Sequence, residues 1–318
     1  MCTTMQLLGT CHIPAKSVLG LATDDPRFAV VALITECNSK GGATVVGSKN
    51  GSSFRTLFKL DYEPSGFTVD GEGYFWLATK KVVKRYTAEG KIINGKGFRI
   101  SKKKAGPETV VTALHCLGDK LYVLKKSSNK KTTVGQTQEQ SVLMECHMVH
   151  GNPKVVAEHL AADCRIAVFP HGKMLFISTS RSLCQLDLGS KEVKVLAAAF
   201  PHPSARLFPG ESGGALLVPG WWGRSQVHAC TSEGELARRT SWFWGFPVVD
   251  SMLAVSSSGD ILFWVKDKKN PQLLKLMRLP APFVYKKGTT TSPAAIWQDV
   301  LREIRRWLMK AGRLLLVP

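Results

Sequence analysis

Short apolar runs with the period of a β-strand, each closed by a turn bearing Gly, Asp or Pro, recur along nearly the whole chain and leave room for one helix. Runs at 17–23, 28–34, 43–47, 54–60, 74–79 and 82–86 are rich in branched and aromatic side chains, which suit a pleated, half-buried surface. Asp24-Asp25-Pro26, Asp70-Gly71-Glu72-Gly73 and Ala88-Glu89-Gly90 punctuate them as turns. The expected fold class is all-β. The one helical pattern lies at 293–310, where Pro293 suits a first turn and Ile296, Trp297, Val300, Leu301, Ile304, Trp307 and Leu308 recur at three- and four-residue steps.

Two segments carry chemistry. Val111-Thr112-Ala113-Leu114-His115-Cys116 ends an apolar strand on a histidine, and Gly210-Glu211-Ser212-Gly213-Gly214 presents a serine in a glycine-rich turn. A serine is a weak nucleophile at neutral pH until a histidine takes its proton, and the histidine needs a carboxylate to fix its tautomer. Asp163, in Asp163-Cys164-Arg165-Ile166-Ala167-Val168, stands about midway between the two, with Glu158 as the nearest replacement.

These residues resemble the active-site segments of chymotrypsin-like serine proteases, of the compact viral and bacterial branch, over roughly residues 92 to 245. Gly95-Lys96-Gly97-Phe98 resembles the strand that precedes the family's histidine strand. The resemblance implies a double β-barrel, with first and second barrels at 91–170 and 171–246, a β-rich region of unassigned role at 1–90 and a carboxy-terminal extension at 247–318. It implies a catalytic triad of His115, Asp163 and Ser212, an oxyanion hole from the N–H groups of Gly210 and Ser212, and a polypeptide substrate cleaved through an acyl-enzyme. Arg206 and His228 match positions that line the primary specificity pocket, which implies a preference for Glu or Gln before the cleaved bond, as in viral polyprotein processing. No metal or organic cofactor is implied.

A different architecture fits the same hairpins. Segments 67–77, 166–177 and 252–265 share an apolar strand, a Gly turn and a second apolar strand, and starting points near 65, 109, 163, 203 and 248 fall around the period of propeller blades. This alternative is a six-bladed β-propeller that is not an enzyme and binds a protein or nucleic-acid partner through basic loops such as Lys80-Lys81, Lys125-Lys126 and 266–269.

Charge bears on both readings. Lys and Arg number 43 against 24 Asp and Glu, a net charge of +19 at pH 7, which raises affinity for polyanions. RNA or an acidic partner is the expected ligand of such a surface, and Trp221-Trp222-Gly223-Arg224 sets aromatic rings beside a cation. The chain has no apolar run long enough for a transmembrane helix and no signal peptide at Met1, so an intracellular, cytoplasmic location with reduced thiols is expected.

Overall fold

Apolar runs that are neighbours in sequence pair with one another as antiparallel meanders, and the meanders do not curl into barrels. The computed structural model describes residues 6–12, 15–23, 25–36, 41–79, 82–100, 109–129, 138–160, 167–168, 172–178, 182–197, 206–209, 214–219, 224–230, 236–238, 243–244, 253–256, 260–266, 270 and 273–279. After β1 (Gln6–Cys11), sheet I holds β2 to β5 (Ala15–Thr23, Val30–Glu36, Ala43–Ser48, Arg55–Leu60) and sheet II holds β6 to β9 (Gly66–Val69, Phe75–Ala78, Val82–Tyr86, Ile92–Arg99). Sheet III follows with β10 to β13 (Thr109–Leu117, Lys120–Asn129, Gln138–His147, Lys154–Leu160), and sheet IV with β14 to β17 (Ala167–Val168, Lys173–Ile177, Leu183–Asp187, Val193–Ala197). Sheet V holds β18 to β21 (Arg206–Pro209, Gly214–Pro219, Arg224–Cys230, Leu236–Arg238), with β22 (Phe243–Trp244) pairing to β20 as a fifth strand. In sheet VI, β23 to β25 (Leu253–Val255, Ile261–Lys266, Leu274–Leu279) are joined by β1.

The first strand of each sheet touches the first strand of the next, in the order β2, β6, β10, β14, β18, β23 and back to β2. The ring is therefore closed, and the architecture is a β-propeller. Closure is made by the first and last described strands: β1 lies antiparallel to β25, with Gln6 opposite Arg278 and Cys11 opposite Leu274. A bridge from Thr10 to Ser53 then ties that edge to sheet I.

Period-two alternation explains why the second strands are buried on both faces. In β3, Val30, Ala32 and Ile34 pack against Ile261, Phe263 and Leu276 of sheet VI, while Val31 and Leu33 pack against Phe75 and Leu77 of sheet II. In β7, Trp76 and Ala78 turn the other way, onto Val111, Leu121 and Val123 of sheet III. In β11, Tyr122 and Leu124 meet Met174, Phe176 and Leu186 of sheet IV. Strands β3, β7 and β11 are thus each shared between two apolar layers, and the core among these sheets is a series of slabs between successive sheets.

This arrangement corrects the chymotrypsin-like expectation. A double barrel requires sheets that close on themselves in two halves, whereas these sheets stay open and close only as a ring. The propeller alternative is the reading the structure supports. Ser127, Ser128 and Asn129 continue β11 opposite Gln140, Glu139 and Gln138. The helical pattern at 293–310 lies outside the described residues.

Candidate functional site

An antiparallel meander sends its connections alternately to two ends. In each of sheets I to V the link from first to second strand and the link from third to fourth emerge at one end, here the turn end. The links from second to third strand, and from one sheet to the next, emerge at the other, the crossover end. Contacts between sheets keep these ends in step. Arg27, between β2 and β3, donates from Nη2 to the carbonyl of Gly73, between β6 and β7. At the opposite end Leu160, closing β13, bridges to Ser178 just past β15.

Carboxylates gather at the turn end, and most are already engaged. Asp25, Asp70, Asp119 and Asp260 each stand shortly before a second strand. Asp70 is buried and accepts backbone N–H groups from Glu72 at 3.1 Å and Tyr74 at 2.9 Å, so its carboxylate folds the β6–β7 turn around itself. Its other oxygen accepts from Trp76 Nε1 at 2.8 Å and from Arg85 Nε and Nη2 at 3.1 and 2.7 Å. The Arg85 guanidinium also donates to Glu72 at 2.7 Å and lies 4.0 Å from the Tyr74 ring centroid. Burial alone would make that guanidinium easier to deprotonate, but its bonds to Asp70 and Glu72 outweigh burial and hold its pKa above the ordinary value.

Sheet VI repeats the device. Asp260 and Arg278 approach to 2.6 Å, and Arg278 faces Leu262 in the register just as Arg85 faces Trp76. Asp25 accepts the backbone N–H groups of Arg27 and Phe28 at 2.8 and 3.2 Å, and in sheet III Asp119 and His147 stand 3.3 Å apart. Gly73, at φ +80°, belongs to this end for a steric reason: a Cβ there would come within 2.8 Å of the Arg27 guanidinium.

Exposed cations occur at both ends among the described residues: Lys49, Lys91, Lys154 and Lys194 at the turn end, and Lys16, Lys59 and Arg99 at the crossover end, where Asp61 and Glu63 are exposed as well. Of the basic loops expected from the sequence, Lys80-Lys81 and 267–269 lie outside the described residues, whereas Lys125 and Lys126 lie on β11 opposite Val111 and Val110.

The triad expected from the motifs falls as follows. His115 lies half-buried on β10 opposite Tyr122, on the face of sheet III that turns toward sheet IV. Asp163, Gly210 and Ser212 lie outside the described residues. The strands on either side of Ser212, β18 and β19, belong to sheet V and meet at Pro209 opposite Gly214. Arg206 stands opposite Leu217, and His228 opposite Leu216 and Arg238. Glu158 is exposed on the outer strand β13. The protease resemblance misled for a physical reason: Gly and acidic residues also suit tight links between first and second strands, as Asp70-Gly71-Glu72-Gly73 shows in sheet II.

Sequence reasoning read Asp25 and Asp70 as parts of turns but not as carboxylates that organise them, and it passed over Asp119 and Asp260, each just ahead of an apolar run. Among the described residues no group of three or more His, Cys, Asp and Glu is placed to hold a metal ion. Nor is any described helix long and apolar enough to cross a membrane.

No family model and no curated protein matches the sequence. Solved structures do match the fold. A gluconolactonase of Xanthomonas campestris superposes with a TM-score of 0.57 at 13% identity, covering 88% of this chain and 90% of that one. The WD40 β-propeller domain of Doa1 superposes with a TM-score of 0.52 at 12% identity, covering 91% of this chain and 100% of that one. At such identities the likeness concerns the fold alone. It replaces the chymotrypsin-like assignment, and with it the serine endopeptidase and viral polyprotein-processing expectations that rested on that assignment.

Proposed function

We propose that this chain is a β-propeller that is not an enzyme and that binds an anionic macromolecular partner through exposed basic residues. A fold does not by itself fix a function, so the choice rests on surface chemistry rather than on fold. The observation that carries it is the division of charge. Asp25, Asp70 and Asp260 are buried and paired with Arg27, Arg85 and Arg278, whereas Lys16, Lys49, Lys59, Lys91, Lys154 and Lys194 are exposed. Each such pair is locally neutral and offsets none of the net charge of +19, which raises affinity for polyanions.

Retention on immobilised heparin across a salt gradient tests the reading. Binding at low salt that weakens steadily as salt rises supports it, because each cation neutralised releases counterions from the polyanion. Passage through the column unretained at low salt contradicts it.

A further inference from the structure

We propose that the outer edge of sheet IV is a docking site for an extended segment of an acidic polypeptide, which pairs with β17 as an added strand. The inference rests on the partner-binding reading above and names the chemical class of that partner. β17 closes sheet IV, with β16 on one side and no strand paired to its other side among the described residues. The register fixes what that free side offers. Asp187 donates its N–H to the carbonyl of Glu192 at 3.0 Å, so in this antiparallel ladder Val193 opposite Leu186 and Val195 opposite Cys184 are non-hydrogen-bonded pairs. The N–H and C=O groups of Val193 and Val195 therefore point away from β16. Both side chains are exposed, at 57% and 62%, and they are the one pair of exposed large apolar residues two positions apart on a strand among those described. Lys194, exposed between them and turned to the opposite face, adds a cation.

Each part of this edge selects a property of the ligand. Alternating donors and acceptors match another polypeptide backbone, and unpaired strand edges are templates for such addition. A phosphate backbone offers acceptors and would leave the carbonyls of Val193 and Val195 unpaired. On an antiparallel partner, the residues opposite Val193 and Val195 share their face and are apolar, while the residue between them lies opposite Lys194 and is acidic. Net charge favours the same choice: a chain at +19 attracts an acidic protein and repels a second copy of itself. The segment is short, because the register shift between Val195 opposite Cys184 and Ala197 opposite Leu183 ends the regular edge just past Val195.

The test is fluorescence anisotropy with the labelled peptide TTVEVTT, alongside heparin and oligouridylate as separate ligands. The peptide should bind saturably. N-methylation of its two valines, whose N–H groups face β17 in the pairing, should weaken binding by about tenfold or more, whereas N-methylation of its glutamate, whose N–H points away, should leave affinity within about threefold. Val193→Pro removes an outward N–H without touching the bonds to β16 and should cost about tenfold. Lys194→Glu should weaken TTVEVTT and strengthen TTVKVTT, while Lys49→Glu, an equal change in net charge on sheet I, should leave both within about threefold. Melting temperatures check that the variants fold, and the N-methylated peptides probe the unaltered protein. Equal losses from the two N-methylations, or indifference to Lys194→Glu, would overturn the inference. Sedimentation showing a dimer that Val193→Pro abolishes, with TTVEVTT unbound, would overturn it by assigning the edge to a second copy. Binding of heparin or oligouridylate without the peptide would overturn it while sparing the partner-binding reading, and binding of none would remove both.

Discussion

Arg85 and Asp70 are joined by two hydrogen bonds, from Nε at 3.1 Å and Nη2 at 2.7 Å to a single carboxylate oxygen, and the Asp70 side chain is 3% exposed. The same carboxylate holds Trp76 and two backbone N–H groups, so it fixes the turn that starts the second strand of sheet II. Removing one partner of a buried pair leaves the other charge uncompensated, which costs about 3–5 kcal/mol. Asp70→Ala should therefore lower unfolding free energy by about that much in urea titrations. Asp260→Ala should cost less, because Arg278 is 36% exposed and water can take over its solvation. Equal losses from the two variants would contradict the comparison.

Two thiols of sheet III provide a pH-dependent readout of the core. Cys116 on β10 and Cys146 on β12 both stand opposite Leu121 of β11, within the slab between sheets II and III. Burial, aided by the charge of Glu145, pushes the Cys146 thiol up from the ordinary 9.0 to about 12, and burial with the nearby charge of Asp70 raises Cys116 as well. Because the folded chain favours the neutral thiol, this contribution is complete below pH 9.0 and is lost as pH climbs toward about 12, while the unfolded chain ionises first. Iodoacetamide at pH 8 should modify Cys146 only after unfolding in urea. Rapid modification in the folded protein would show that the slab is open to solvent.

The motif around Ser212 gives a sharp negative prediction. A fluorophosphonate probe, which labels serines activated by a neighbouring base, should leave the folded chain unlabelled, and His115→Ala should change nothing in that assay. Labelling that disappears in both Ser212→Ala and His115→Ala would restore the nucleophile assignment.

Much of the strand content was legible in the sequence because strand alternation is a local signal. Val30 to Ile34 and Phe75 to Ala78 read as strands from their side chains alone, and hairpins expected near 65, 109, 163, 203 and 248 open sheets at Gly66, Thr109, Ala167, Arg206 and Leu253. Closure was not legible. The pairing of β1 with β25 joins the two ends of the described chain, and so long-range a contact leaves no periodic trace in either segment. Asp25 and Asp70 were legible as turn residues because Pro26 and Gly71-Glu72-Gly73 follow them, whereas Asp119 and Asp260 were not, because strand residues follow them directly. A glycine-rich link in sheet V and a histidine on the first strand of sheet III then resembled a catalytic pair, since both segments also obey rules of hairpin formation.

Ring closure by β1 is the claim on which the propeller and its two ends depend, and a cross-link tests it directly. Leu7 stands opposite Met277 in the β1–β25 register, within the span a disulfide can bridge between adjacent antiparallel strands. Leu7→Cys/Met277→Cys, oxidised mildly and digested, should yield a peptide pair joined between positions 7 and 277, and the cross-linked protein should melt at a higher temperature than its reduced form. Absence of that linked pair in the folded protein, with cysteine 7 joined elsewhere or left free, would contradict the closed ring.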